Sequence, residues 1–185
     1  NNKTFYNYKL DDFIKKLVIK TGGRCFLLFT SYSSLNYVYN KLRGSLEKDN
    51  YVLLKQGDLP RHEMIEMFKM SNKAVLFGTD SFWEGIDVQG DNLKSVVIIK
   101  LPFKSPEDPV TEAIIEYMRK NNQNPFMNFQ IPQAVIKFKQ GIGRLIRSKT
   151  DTGIITILDN RVIKKAYGEK FLKSLPKTNI VKGNR

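Results

Sequence analysis

Apolar positions along the chain follow two rhythms that take turns. In LDDFIKKLVIK, residues 10–20, Leu10, Phe13, Ile14, Leu17 and Val18 share one helical face, and Thr21, Gly22 and Gly23 stop the helix. RCFLLFTS follows as an apolar run too short for a helix of its own, which predicts a buried strand. Residues 32–43 return to helical spacing, with Leu35, Val38, Tyr39 and Leu42 inward. YVLLKQ predicts a second strand, and RHEMIEMFKM a helix with Met64, Ile65 and Phe68 on its buried side. KAVLFGT, SVVIIKLP and GIITILD complete a set of five strands.

Strands alternating with helices predict an α/β, three-layer fold with a mostly parallel sheet flanked by helices. The nearly continuous apolar runs fit strands covered on both faces. In such sheets ligands meet the loops at the carboxyl ends of the strands, here the loops after Phe29, Leu54, Phe77 and Ile99. Residues 104–128 form a helical insertion: a Pro-rich turn, a helix near 109–120 and a polar NNQN turn. One domain over 1–176 with a frayed tail at 177–185 is expected.

Composition narrows the function classes. Apolar residues at 41% and charged residues at 26% describe an ordinary globular chain with a full core. No apolar run reaches the length of a membrane span, and the first residues lack the layout of a signal peptide. The sequence does not open with Met and reads as a fragment. A single cysteine, Cys25, rules out an internal disulfide and any multi-cysteine metal or iron–sulfur site, and a reducing, cytoplasmic setting fits. Lone His62, at an exposed helix start, is assigned no role. With 31 basic against 18 acidic residues, a net charge of +13 either reflects a solvated lysine-rich surface or favours a polyanion such as nucleic acid.

Two stretches carry candidate chemistry. In FGTDSFWEGIDVQG, residues 77–90, Thr79, Ser81 and backbone amides can donate to phosphate oxygens. Trp83 offers a face for base stacking or for the core. Glu84 and Asp87 flank Gly85 as a general acid and base, as metal ligands, or as turn-forming acids. In PQAVIKFKQGIGRLIRS, Ala134, Phe138, Ile142 and Leu145 form one helical face, with Pro132 near the first turn. Lys137, Gln140, Arg144 and Arg147 form a basic stripe on the other face. Two interior glycines, Gly141 and Gly143, cost about 1 kcal/mol each relative to alanine, and close approach of a backbone or ligand would compensate. The stripe is either a solvated face or a grip on a polyphosphate. No GxxxxGK[ST] loop appears in the chain, so its arginines suit a nucleotide held elsewhere, offered across an interface as fingers.

QGIGRLIRS resembles motif VI, the QxxGRxxR box of superfamily 2 helicases. TDSFWEGIDVQG resembles motif V, and CFLLFTSYSSL motif IV, in the form used by the DinG and XPD branch of DNA helicases. LPFKSPEDP, NPFMNFQIPQAVIKFKQ and ILDNR agree in order and spacing, so the likeness covers nearly the whole chain, nearer to bacterial DinG-like proteins than to XPD.

The resemblance implies the second, C-terminal RecA-like motor domain of an ATP-dependent 5′-to-3′ helicase of DNA repair or replication. Its partner, an upstream RecA-like domain of the same polypeptide, would bind most of ATP and Mg²⁺. An iron–sulfur cluster or an exonuclease domain belongs, if anywhere, to the parent protein. On this likeness Arg144 and Arg147 contact ATP phosphates across the cleft, with Arg147 as the finger. Gln140 orients the attacking water or links the γ-phosphate to the motor. Gly85 and Asp87 lie by the nucleotide with Gly143, Asp87 reaching the ribose or Arg144, and Glu84 bonds to neighbours within that motif. Ser31, Tyr32, Thr79 and Ser81 meet the single-stranded DNA backbone. The isolated fragment is expected to be inactive. Three competitors remain: a nucleic-acid-binding module that never meets ATP, the helicase-like domain of a DinG-type exonuclease, and a nuclease holding Mg²⁺ through Glu84, Asp87 and Asp159.

Overall fold

A computed structural model describes residues 8–83, 93–143, 145 and 152–183. Helix α1 (Tyr8–Lys20) ends where its glycines lie. Gly22 and Gly23 take φ of 68° and 79°, and their N–H groups return to the carbonyls of Ile19 and Val18, a left-handed stop that glycine tolerates best. The chain then enters β1 (Cys25–Leu28), α2 (Tyr32–Lys48), β2 (Val52–Lys55), α3 (Arg61–Met70), β3 (Ala74–Gly78), the short α4 (Asp80–Trp83) and β4 (Ser95–Ile98). After β4 come α5 (Pro109–Lys120), a π-helical turn at Phe126–Gln130, α6 (Ile131–Ile142), β5 (Ile154–Ile157), α7 (Arg161–Lys164) and α8 (Gly168–Lys173).

The five strands form one sheet, parallel throughout, in the order β2-β3-β1-β4-β5. The three inner strands β3, β1 and β4 are buried at every residue, whereas the edge strands β2 and β5 are partly exposed. Alternate residues of β1 serve opposite faces. Phe26 and Leu28 join Met64, Phe68, Ala134 and Phe138 from α3 and α6, while Cys25 and Leu27 join Ile14, Val18, Leu35 and Leu42 from α1 and α2. Helices therefore cover both faces, as the apolar runs require.

Three differences from the sequence expectations have physical causes. α2 passes Gly44 and ends at Lys48, because Leu46 extends the apolar stripe of Leu35, Val38, Tyr39 and Leu42 and is fully buried. The insertion contains α5 as expected but is joined to α6 through the π-helical turn. There Pro132 has no N–H to offer, and the N–H of Ile131 donates to the carbonyl of Phe126, five residues back. Finally, α6 ends at Ile142, so Gly141 alone of the two glycines lies inside it. Gly143 stands at the C-cap, donating to Lys139 O at 2.8 Å.

Candidate nucleic-acid interface

The carboxyl ends of β1, β2 and β3 surround a cavity of about 340 Å³, lined by Thr30, Ser31, Tyr32, Gln56, Thr79 and Ser81. Parallel pairing brings these residues together: Leu28 lies opposite Gly78, and Lys55 opposite Phe77, so the residues that follow leave the sheet side by side. Ser31, Tyr32, Thr79 and Ser81, the four residues expected to meet nucleic acid, all face this one space. None of these six described lining residues is a carboxylate.

Each side chain is held by local chemistry. Ser31 is the N-cap of α2, in extended backbone, and its Oγ accepts from the N–H of Ser34 at 3.3 Å. Tyr32, at 52% exposure, opens that helix into solvent. Thr79 is buried, and its carbonyl accepts from the N–H of Phe82 at 2.8 Å, which turns the chain into α4 and sets Ser81 on the outer side. The Arg61 guanidinium stands 5.7 Å from the centroid of the Phe82 ring.

Gln56 is the residue that sequence reasoning missed. Its amide oxygen accepts from both the N–H and the Oγ1 of Thr79, the latter at 3.0 Å. Its amide nitrogen donates to the Tyr32 hydroxyl at 2.7 Å and to Ser81 Oγ at 3.0 Å. A signal did exist in the sequence. A polar residue closes the run YVLLK immediately before Gly57, which takes a φ of 102°, at one of the strand exits where ligands are expected.

Trp83 belongs to the core. It is fully buried and its indole N–H donates to Phe29 O at 2.9 Å, so it has no face for a base. Gly141 answers to this ring: a Cβ there would stand 2.7 Å from Trp83 Cε3 and 3.1 Å from Leu28 Cδ1. Its close approach is to the core, and not to a ligand or a facing domain. Gln140 lies exposed in the last turn of α6, next to the exposed Gly143. Arg144, Arg147, Glu84, Gly85 and Asp87 lie outside the described residues.

Asp159, the third acid of the nuclease reading, is engaged. It is 4% exposed, and its carboxylate receives the Arg161 guanidinium at 2.6 Å, the backbone N–H of Arg161 at 3.0 Å and that of Leu101 at 2.9 Å. Burial alone would raise its pKa, but the hydrogen bonds from Arg161 and Leu101, with the arginine charge, outweigh it and hold the carboxyl below its ordinary value. Among the described residues no group of three or more His, Cys, Asp or Glu could hold a metal. Burial raises the Cys25 thiol to about 12, so it is inert. Among the described residues no helix is long and apolar enough to cross a membrane.

Comparison with known proteins adds a family. The helicase C-terminal domain family matches residues 14–178. An ATP-dependent DNA helicase YoaA of Haemophilus influenzae is 44% identical over 92% of this chain, and a 3′-5′ exonuclease DinG of Bacillus subtilis 41% identical over 91%. The chain spans 26% and 18% of those two relatives. A solved XPD helicase chain superposes with a TM-score of 0.66 at 21% identity, covering 89% of this chain and 30% of that one. At that identity the likeness speaks for the fold alone, which is the RecA-like α/β fold.

Proposed function

The chain belongs to the helicase C-terminal domain family, of the DinG and XPD type, and on that premise we propose that it is the second motor domain of an ATP-dependent DNA helicase. The observation that carries this is the convergence of Ser31, Tyr32, Thr79 and Ser81 on one cavity at the carboxyl ends of β1 to β3, with no carboxylate among its described lining residues. The hydroxyls of Ser31, Tyr32 and Ser81 at such a place suit the phosphate backbone of single-stranded DNA without reading its sequence, with Thr79 bonded inward to Gln56. The net charge of +13 favours the same partner.

ATP and Mg²⁺ would be held mainly by an upstream RecA-like domain of the same polypeptide. From this chain Gln140, Arg144 and Arg147 would reach the phosphates, with Gly143, Glu84, Gly85 and Asp87 beside them. Arg147 and Arg144 would stabilise charge on the transferring phosphoryl group, and Gln140 would place the attacking water or relay the state of the γ-phosphate. Closure onto ATP and release after hydrolysis would move the cavity relative to the other domain, and so along one strand, in the 5′-to-3′ direction that the family resemblance suggests. DNA repair or replication is the setting this implies.

In the full-length protein, Arg147→Ala is expected to retain single-stranded DNA binding while DNA-stimulated ATP turnover falls by about 10³-fold, the low end of arginine-finger effects. Turnover at the wild-type rate would remove Arg147 from this role. The relatives named as exonucleases favour a second reading, in which the same domain serves a DinG-type exonuclease. A full-length protein that degrades DNA without unwinding it would select that reading.

A further inference from the structure

The amide of Gln56 has two N–H donors and an oxygen with two lone pairs, and all four are used. Its orientation is not reversible. The backbone N–H of Thr79 can only donate, so the amide oxygen must face Thr79, which turns the NH₂ group toward Tyr32 and Ser81. A hydroxyl that accepts from an N–H places its own proton elsewhere. Tyr32 is about half exposed and Ser81 is exposed, so both protons are directed to the cavity and its mouth.

We infer that Gln56 is a positioning residue that sets the polarity of this cavity, holding the Tyr32 and Ser81 hydroxyls as outward donors to phosphate oxygens of single-stranded DNA. The inference rests on the proposed nucleic-acid role of the cavity. It adds a reason why the site prefers an anion. Two hydroxyls that could each donate or accept are fixed as donors before a strand arrives, and among the described lining residues no carboxylate competes for their protons.

The test is single-stranded oligo-dT binding by the full-length protein, followed by fluorescence anisotropy, with folding checked by thermal melting. Gln56→Glu keeps the shape and still accepts from Thr79, but it has no N–H to give. The Tyr32 and Ser81 hydroxyls then turn inward and donate to the carboxylate, and affinity falls by about tenfold or more, the worth of one to two charge-assisted hydrogen bonds. Tyr32→Phe alone lowers affinity by roughly three- to tenfold. In the Gln56→Glu background the same substitution costs almost nothing, because that proton already points inward. If added negative charge were the whole effect, the Tyr32→Phe cost would be unchanged in that background, and the inference would be overturned. Gln56→Met, which adds no charge, is expected to weaken binding several-fold without changing the salt slope, and wild-type affinity in that variant overturns the inference as well. The two levels separate cleanly. If Tyr32→Phe and Ser81→Ala both leave affinity unchanged, the nucleic-acid reading of the cavity falls, and the role of Gln56 with it. If they weaken binding while Gln56→Glu does not, only the role of Gln56 falls.

Discussion

Two polar clusters sit at the carboxyl ends of the same sheet and do opposite things with their hydrogen bonds. Above β4 and β5, Asp159 spends its bonding capacity inward, on Arg161 and on the N–H of Leu101. Above β1, β2 and β3, Gln56 also bonds fully to its neighbours, yet in doing so it leaves two hydroxyl protons over for something outside. Strand-end position is therefore a weak guide to function. What separates a brace from a site is whether any donor is left unspent after the local bonds are made. The buried carboxylate ties the loop after β4 to the start of α7, whereas the neutral amide sets up a surface.

Several substitutions would test that contrast. The largest effect is expected from Asp159→Ala, which leaves the buried N–H of Leu101 without an acceptor and Arg161 without its carboxylate partner. A loss of about 2–4 kcal/mol in denaturant unfolding is anticipated, with DNA affinity per folded molecule unchanged. A substantial loss of DNA affinity at full folding would mean that the two clusters are not separate. Gly141→Ala comes next. Alanine favours a helix interior by about 1 kcal/mol over glycine, but its Cβ would press on the Trp83 ring, and a net destabilisation of about 1–2 kcal/mol should appear as a lower melting temperature. A stabilised variant would show that the ring can yield.

Acid titration offers a third, smaller effect. The Asp159 carboxyl is held below its ordinary value of 3.8, so its contribution is complete above that pH and is lost as pH falls through the lower, folded-state value. The stability difference between wild type and Asp159→Asn should accordingly be constant near neutrality and shrink below about pH 4. A difference that persists undiminished in stronger acid would contradict the charged brace. The smallest change in stability belongs to Ser81→Ala, within about 0.5 kcal/mol because the site is exposed, although binding of single-stranded DNA should weaken several-fold. That opposite ordering of stability and binding is the clearest mark of the difference between the two clusters.

The same contrast explains how much was legible in the sequence. The inner strands were, because β1, β3 and β4 are unbroken apolar runs, and so was the placement of Ser31, Tyr32, Thr79 and Ser81 together just beyond the ends of β1 and β3. Gln56 was not, because its partners lie 23 to 25 residues away and become neighbours only when β2 and β1 both pair with β3. Trp83 could be core or stacking face until the carbonyl of Phe29 was found beneath its N–H. The end of α6 at Ile142 is hidden in the sequence for a related reason. Gly141 and Gly143 look alike in QGIGR, but one is fitted against an aromatic ring and the other caps the helix.

The packing of Gly141 on Trp83 also has a mechanical meaning. The end of α6 that carries Gln140 bears directly on the indole ring, and the indole N–H is fastened to the carbonyl of Phe29, two residues before Ser31. The buried ring thus touches both the helix preceding the two arginines and the residue before the loop that lines the cavity. Close-packed interiors have little give, so on the proposed function a displacement of α6 would be felt at that loop.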